Sequence, residues 1–182
     1  AENPAEARAK AEAILGMDIK GHTVHRVLVA EASDIAEEYY VSFLLDRTNR
    51  SFLAMASIEG GVDIEEVAAT KPEALVRMRI DALEGVTPTT ARQIVDAAGF
   101  PEPIRAQTAD VLVDLWRTLV EEDATLVEVN PLVQTPDGRV LALDGKVTLD
   151  ANAAFRHPDH EAFIDREGTD PIELRAGDLD LN

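Results

Sequence analysis

Glu128, Asn130 and Asp144 are the residues of this 182-residue chain whose types and spacing best fit them for chemistry. Glu128 and Asn130 alternate with Val127 and Val129 in the run Leu126 to Val133, the period-2 pattern of a strand with unlike faces. Side chains two positions apart on a strand share a face, so a carboxylate and a carboxamide present oxygens to the same side. Pro131 has no amide proton for a ladder, and the strand is expected to end there, just where Asn130 is presented. Pro136-Asp137-Gly138 reads as a turn, and Arg139 to Leu143 as a returning strand that delivers Asp144. Such a hairpin brings Asn130 and Asp144 together, two oxygen ligands of the kind Mg2+ takes when nucleotide phosphates supply the remainder. Asn before Pro and Asp before Gly are also ordinary turn residues, so spacing alone leaves open a hairpin that holds no metal.

The elements that must position these residues are readable on either side. From Ile104 to Asp123, apolar Ala109, Leu112, Val113, Trp116, Leu119 and Val120 recur at threes and fours, the longest amphipathic helix of the chain. Trp116 lies on that stripe and is expected in the core. The helix runs directly into the Leu126 strand and is expected to pack beneath it. Upstream, Asn3 caps and Pro4 opens a helix over Ala5 to Leu15 that Gly16 ends. His22 to Ala30, Tyr39 to Asp46, Ser51 to Ser57 and Leu75 to Ile80 read as strands, the middle two joined by the polar turn Arg47 to Arg50 in an antiparallel meander. Gly60-Gly61 precedes an acidic segment closed by Pro72. A glycine pair there lets backbone amides approach a phosphate, although from the residues alone a plain turn into a short helix is the stronger reading. Thr89 to Ala98 reads as a helix stopped by Gly99 and Pro101; Asp159 to Arg166 and Asp170 to Ala176 read as short acidic helices. His157, before Pro158, reads as a loop residue.

Composition narrows the classes. There are 17 Lys plus Arg against 35 Asp plus Glu, a net charge of -18, which argues against nonspecific nucleic-acid or anionic-membrane binding. Cysteine is absent, which excludes thiol catalysis, thiolate metal sites and disulfides. No apolar run approaches the roughly 20 residues that span a bilayer. A cytoplasmic protein is the expectation.

Glu128-Val129-Asn130-Pro131-Leu132-Val133, then Leu143-Asp144-Gly145-Lys146, then Asp150-Ala151-Asn152-Ala153-Ala154-Phe155-Arg156, together resemble the ATP-grasp domain of the β subunit of succinate–CoA ligase (succinyl-CoA synthetase). The likeness runs nearly end to end. It implies an α+β fold, an ATP-grasp-type mixed or antiparallel sheet flanked by helices, amounting to a partial domain. Residues 1–158 would form that domain without the family's N-terminal segment, which carries a nucleotide-binding lysine and a Gly-rich phosphate loop. Residues 159–182 would be an acidic helical connector toward a CoA-ligase domain that this chain lacks.

The resemblance also implies site roles. Ala30, Glu31 and Ser33 would line the nucleotide base, Glu38 would bind ribose hydroxyls, Asn130 and Asp144 would hold Mg2+, and Glu128 would be the catalytic carboxylate. The substrate nucleotide would be ATP/ADP or GTP/GDP. The whole enzyme, in the tricarboxylic acid cycle, would form succinyl-CoA from succinate and CoA through a phosphohistidine on a partner α subunit, in a heterodimer or heterotetramer; this chain alone would be inactive. A β-type subunit of a related malate– or citrate–CoA ligase is one alternative. A noncatalytic subunit-interaction module, its hairpin merely structural, is another.

Overall fold

Tyr39, Val41 and Phe43 point one way from their strand and Tyr40 and Ser42 the other, and this alternation builds both faces of the fold. The computed structural model describes residues 1–166 and 168–179. Its elements are α1 (Pro4–Ile14), β1 (Asp18–Ile19), β2 (His22–Thr23), β3 (Glu37–Asp46), β4 (Ser51–Ser57), α2 (Ile64–Thr70), β5 (Val76–Ile80), α3 (Pro88–Ala98), α4 (Arg105–Glu121), β6 (Ala124–Gln134), β7 (Val140–Ala142), β8 (Gly145–Leu149) and α5 (Pro171–Asp178). They fall into two compact units, one of Ala1–Ala32 with Pro158–Asn182 and one of Ser33–His157. The second unit holds an antiparallel sheet in the order β5-β4-β3-β6-β7, with β8 also paired to β6. The expected α+β class is what the chain adopts.

One face of the sheet is covered by helices. Tyr39, Val41, Phe43, Val127 and Val129 join Ile94, Val95, Phe100, Leu112 and Leu119 in a single buried core. Burying a side chain of that size contributes roughly 1.5–3 kcal/mol. Pro88 opens α3 in its first turn while the Thr87 hydroxyl accepts from the Thr90 amide, and Gly99 at φ 76° closes it. Trp116 on α4 meets Phe43 and Phe52 edge-on, at centroid distances of 5.7 and 5.1 Å, as its place on the apolar stripe predicts. Gln107 on the same helix donates to the Gly138 carbonyl and accepts from the Val140 amide, tying α4 to the turn before β7.

The opposite face carries polar groups in register. Arg77, Met55, Ser42, Glu128 and Lys146 form one cross-sheet row. The two expected meander strands are present as β3 and β4.

Three expectations change. Pro131 does not end its strand: β6 runs on to Gln134, and the Asn130–Pro131 peptide is cis. The pairing passes from Tyr39↔Leu132 to Val41↔Val129, so Asn130 and Pro131 together oppose Tyr40 in a bulge, where an amide proton is not required of Pro131. The returning strand is split into β7 and β8, with Leu143 and Asp144 between them still bonded to β6 through Leu143 N to Pro131 O and Asn130 N to Asp144 O. The strand expected over His22 to Ala30 shrinks to His22–Thr23, paired only with Asp18–Ile19. Leu28 and Val29 are 94% and 64% exposed, and among the described residues no strand pairs with them. Glu167 and the last residues, 180–182, of the expected connector lie outside the described residues; the rest of it holds a 3-10 segment, Pro158–Phe163, and α5.

Candidate functional site

The open face of β3 and β6 brings together residues far apart in sequence. Asn130 sits in the β6 bulge, and its carboxamide grips the loop between β4 and α2: Oδ1 accepts from the Gly61 amide at 2.9 Å and Nδ2 donates to the Val62 carbonyl at 2.9 Å. Glu38 reaches the same place from β3. Its carboxylate lies so close to Gly61 that a Cβ there would stand 2.5 Å from an Oε atom. Gly61 has φ +65°, a conformation glycine adopts without cost. Gly60 packs against the Tyr39 backbone and donates to the Glu38 carbonyl. Asp63 then caps α2 by accepting from the Glu65 and Glu66 amides.

Asp144 is linked to Asn130 through its carbonyl, 3.0 Å from the Asn130 amide. Its carboxylate is exposed and has no hydrogen-bond or ion-pair partner among the described residues. The two residues supply hard oxygen donors at one break in the sheet. Asn130 Oδ1 retains a second lone pair beyond its bond to Gly61. Mg2+ prefers hard oxygens of this kind, takes few of them from a protein and fills its octahedron with waters and phosphates.

Glu128 stands opposite Ser42, and its Oε2 accepts from the Tyr40 hydroxyl at 2.9 Å. The Ser42 hydroxyl is 3.0 Å from the same phenol oxygen. Burial pushes the Tyr40 phenol well above its ordinary range; the hydrogen bond with Ser42 lowers it somewhat, and donating to Glu128 raises it further. The phenol is protonated at neutral pH.

Of the residues singled out from the sequence, Glu38 and Asn130 meet at Gly61, and Glu128 bonds Tyr40, which with Ser42 was not among them. Their only local signal is that they alternate with Tyr39 and Val41 from Glu38 onward. Ser33 precedes β3 in an irregular stretch whose end is fastened by the Ala36 amide to the Gln134 carbonyl. Ala30 and Glu31 belong to the other unit, where they line an open groove of 720 Å3 with Asn3, Pro4, Ala7 and Ala11.

An antiparallel sheet with helices on one face and a glycine loop clasped on the other is an α+β domain of the ATP-grasp type. Residues 1–134 match the model of the ATP-grasp domain, and the chain belongs to that family. Its fold is similar to ATP citrate lyase from Methanothrix soehngenii, solved in complex with citrate and coenzyme A, at TM-score 0.66 and 21% identity, covering 88% of this chain and 36% of that one. It is also similar to an aspartate-to-alanine mutant of the Methanosaeta concilii ATP citrate lyase in complex with (3S)-citryl-CoA, at TM-score 0.64 and 19% identity, with 88% and 36% covered. The chain therefore spans about a third of the length of these structures.

Proposed function

We propose that this chain is the nucleotide- and magnesium-holding part of the β subunit of an acid–CoA ligase, with succinate–CoA ligase the member its motifs fit best. The observation that carries the reading is the meeting of Glu38 and Asn130 at Gly61. An acid and an amide distant in sequence converge on one glycine loop, whose Gly60 and Gly61 amides donate to the Glu38 carbonyl and to Asn130 Oδ1. In this reading Glu38 accepts from ribose hydroxyls and Ser33, just before β3, lies on the side of the base. Asn130 and Asp144 hold the ion, which neutralises phosphate charge and aligns the transferred group. Glu128, on the same face, stabilises the imidazolium of a histidine visiting from a partner α subunit, since a carboxylate favours the charged ring.

Turnover with succinate and CoA would belong to the whole heteromeric enzyme, using ATP or GTP. A citrate– or malate–CoA ligase is the alternative within the class, and the citrate and coenzyme A of the solved neighbours bring citrate forward. Assaying the assembled enzyme with each acid decides between them. The first test is calorimetry of Mg-ADP with this chain and with Asp144→Ala. Magnesium-dependent binding that the substitution weakens at least tenfold is expected. Equal binding by both proteins would remove Asp144 from the metal site. If the wild type ignores the nucleotide even when extended through the family's Gly-rich segment, the noncatalytic interaction module becomes the better reading.

A further inference from the structure

Tyr40 is 1% exposed, yet its one proton is directed at Glu128 rather than at the backbone. The phenol oxygen stands 2.9 Å from Glu128 Oε2 and 3.0 Å from Ser42 Oγ, and its O–H is the donor toward both. Ser42 is fully buried and lies directly opposite Glu128, so the three side chains form a short buried set of hydrogen bonds on the side of the sheet away from the helices, ending at the half-buried Glu128. The bulge matters here: Asn130 and Pro131 take the place of Tyr40's direct partner, and the ring reaches diagonally to Glu128. One carboxylate oxygen is thereby fixed from inside the protein, while the other has no hydrogen-bond partner among the described residues.

We propose that Tyr40 is the positioning residue of Glu128, its buried hydroxyl locking Oε2 so that Oε1 is held toward the cationic ring it stabilises. This rests on the proposed role of Glu128 at an acid–CoA ligase's nucleotide station. Supporting groups of this kind, which lock a reacting side chain without touching substrate, typically account for about 10- to 100-fold in activity.

The test uses the complete subunit assembled with its partner, and single-turnover phosphoryl transfer from Mg-ATP to the partner's histidine. Tyr40→Phe keeps the ring and removes only the oxygen. Transfer is expected to slow about 10- to 100-fold while Mg-ADP affinity stays within about twofold of wild type. In a Glu128→Gln background the same substitution is expected to add nothing, because Tyr40 acts through that carboxylate. Additive effects, or wild-type transfer by either single variant, would overturn the inference. A wild type that fails to bind Mg-ADP removes the nucleotide reading and the inference together; binding with additive effects removes the inference alone. A second readout needs no assembly. In the 182-residue chain labelled with carboxyl-13C glutamate, the Glu128 resonance is expected to move in Tyr40→Phe and in Tyr40→Phe/Ser42→Ala, and an unmoved resonance would equally overturn it.

Discussion

Two adjacent glycines serve different ends, and substitution separates them. At Gly61 a Cβ would meet the far end of the Glu38 side chain at 2.5 Å and adopt φ +65°, costing on the order of 1–2 kcal/mol of backbone strain. At Gly60 it would stand 2.3 Å from the Tyr39 backbone, which cannot swing aside. Gly60→Ala is therefore expected to lower the melting temperature more than Gly61→Ala, while Gly61→Ala displaces the Glu38 carboxylate and weakens Mg-ADP binding; calorimetric melts showing the reverse order would refute this. Asp123 gives a second residue-scale prediction. Its carboxylate accepts from His157 Nε2 at 2.8 Å and from the Arg156 guanidinium at 2.6 Å, and these partners, the His157 hydrogen bond foremost, hold its pKa below the usual carboxylate range. A depressed folded-state pKa contributes stability that is present above the unfolded value, about 3.9, and is lost as pH falls through the folded one. The stability gap between wild type and Asp123→Asn should be open at neutral pH and close below about pH 4. A gap of constant size across acid melts would show that the pairing contributes nothing.

Helix α4 shows what periodicity can and cannot convey. Its buried positions Ala109, Leu112 and Leu119 follow from the spacing of apolar residues, and Leu112 is 1% exposed. Leu112→Ala should destabilise the chain by roughly 2–5 kcal/mol, against clearly less for Val113→Ala, whose side chain is only partly buried. Denaturant titrations giving equal costs would mean that the helix packs by another face. The strands β3 and β4 and the shared face of Glu128 and Asn130 were legible for the same reason, since each rests on neighbours within a few positions. The continuation of β6 through Pro131 was not. It depends on Tyr40 accepting two residues opposite it and on Leu143 donating to the proline carbonyl, both set by distant segments. Leu28 and Val29 carried a strand signal that no described partner strand completes. The bond from Tyr40 to Glu128 joins residues 88 apart, and no local pattern encodes it.

For the molecule as a whole, a net charge of -18 is a self-repulsion that the fold must offset. Salt screens it over a Debye length of about 10 Å at 0.1 M, so the melting temperature should climb with NaCl whichever carboxylates are present. A bound ion acts differently, because it is localised and selects the folded state. A ligand at ten times its Kd adds about 1.4 kcal/mol, or roughly 3–6 °C for a chain of this size. With ADP present and ionic strength matched, replacing part of the NaCl by MgCl2 should add such an increment to the wild type. Asp144→Ala removes one charge and should keep the NaCl response while losing the increment. Asp159→Ala, which removes an exposed charge from the other unit, should keep both. Both variants losing the increment equally would mean that magnesium acts through the diffuse field of the acidic surface, and that Asn130 and Asp144 close a hairpin without holding a metal.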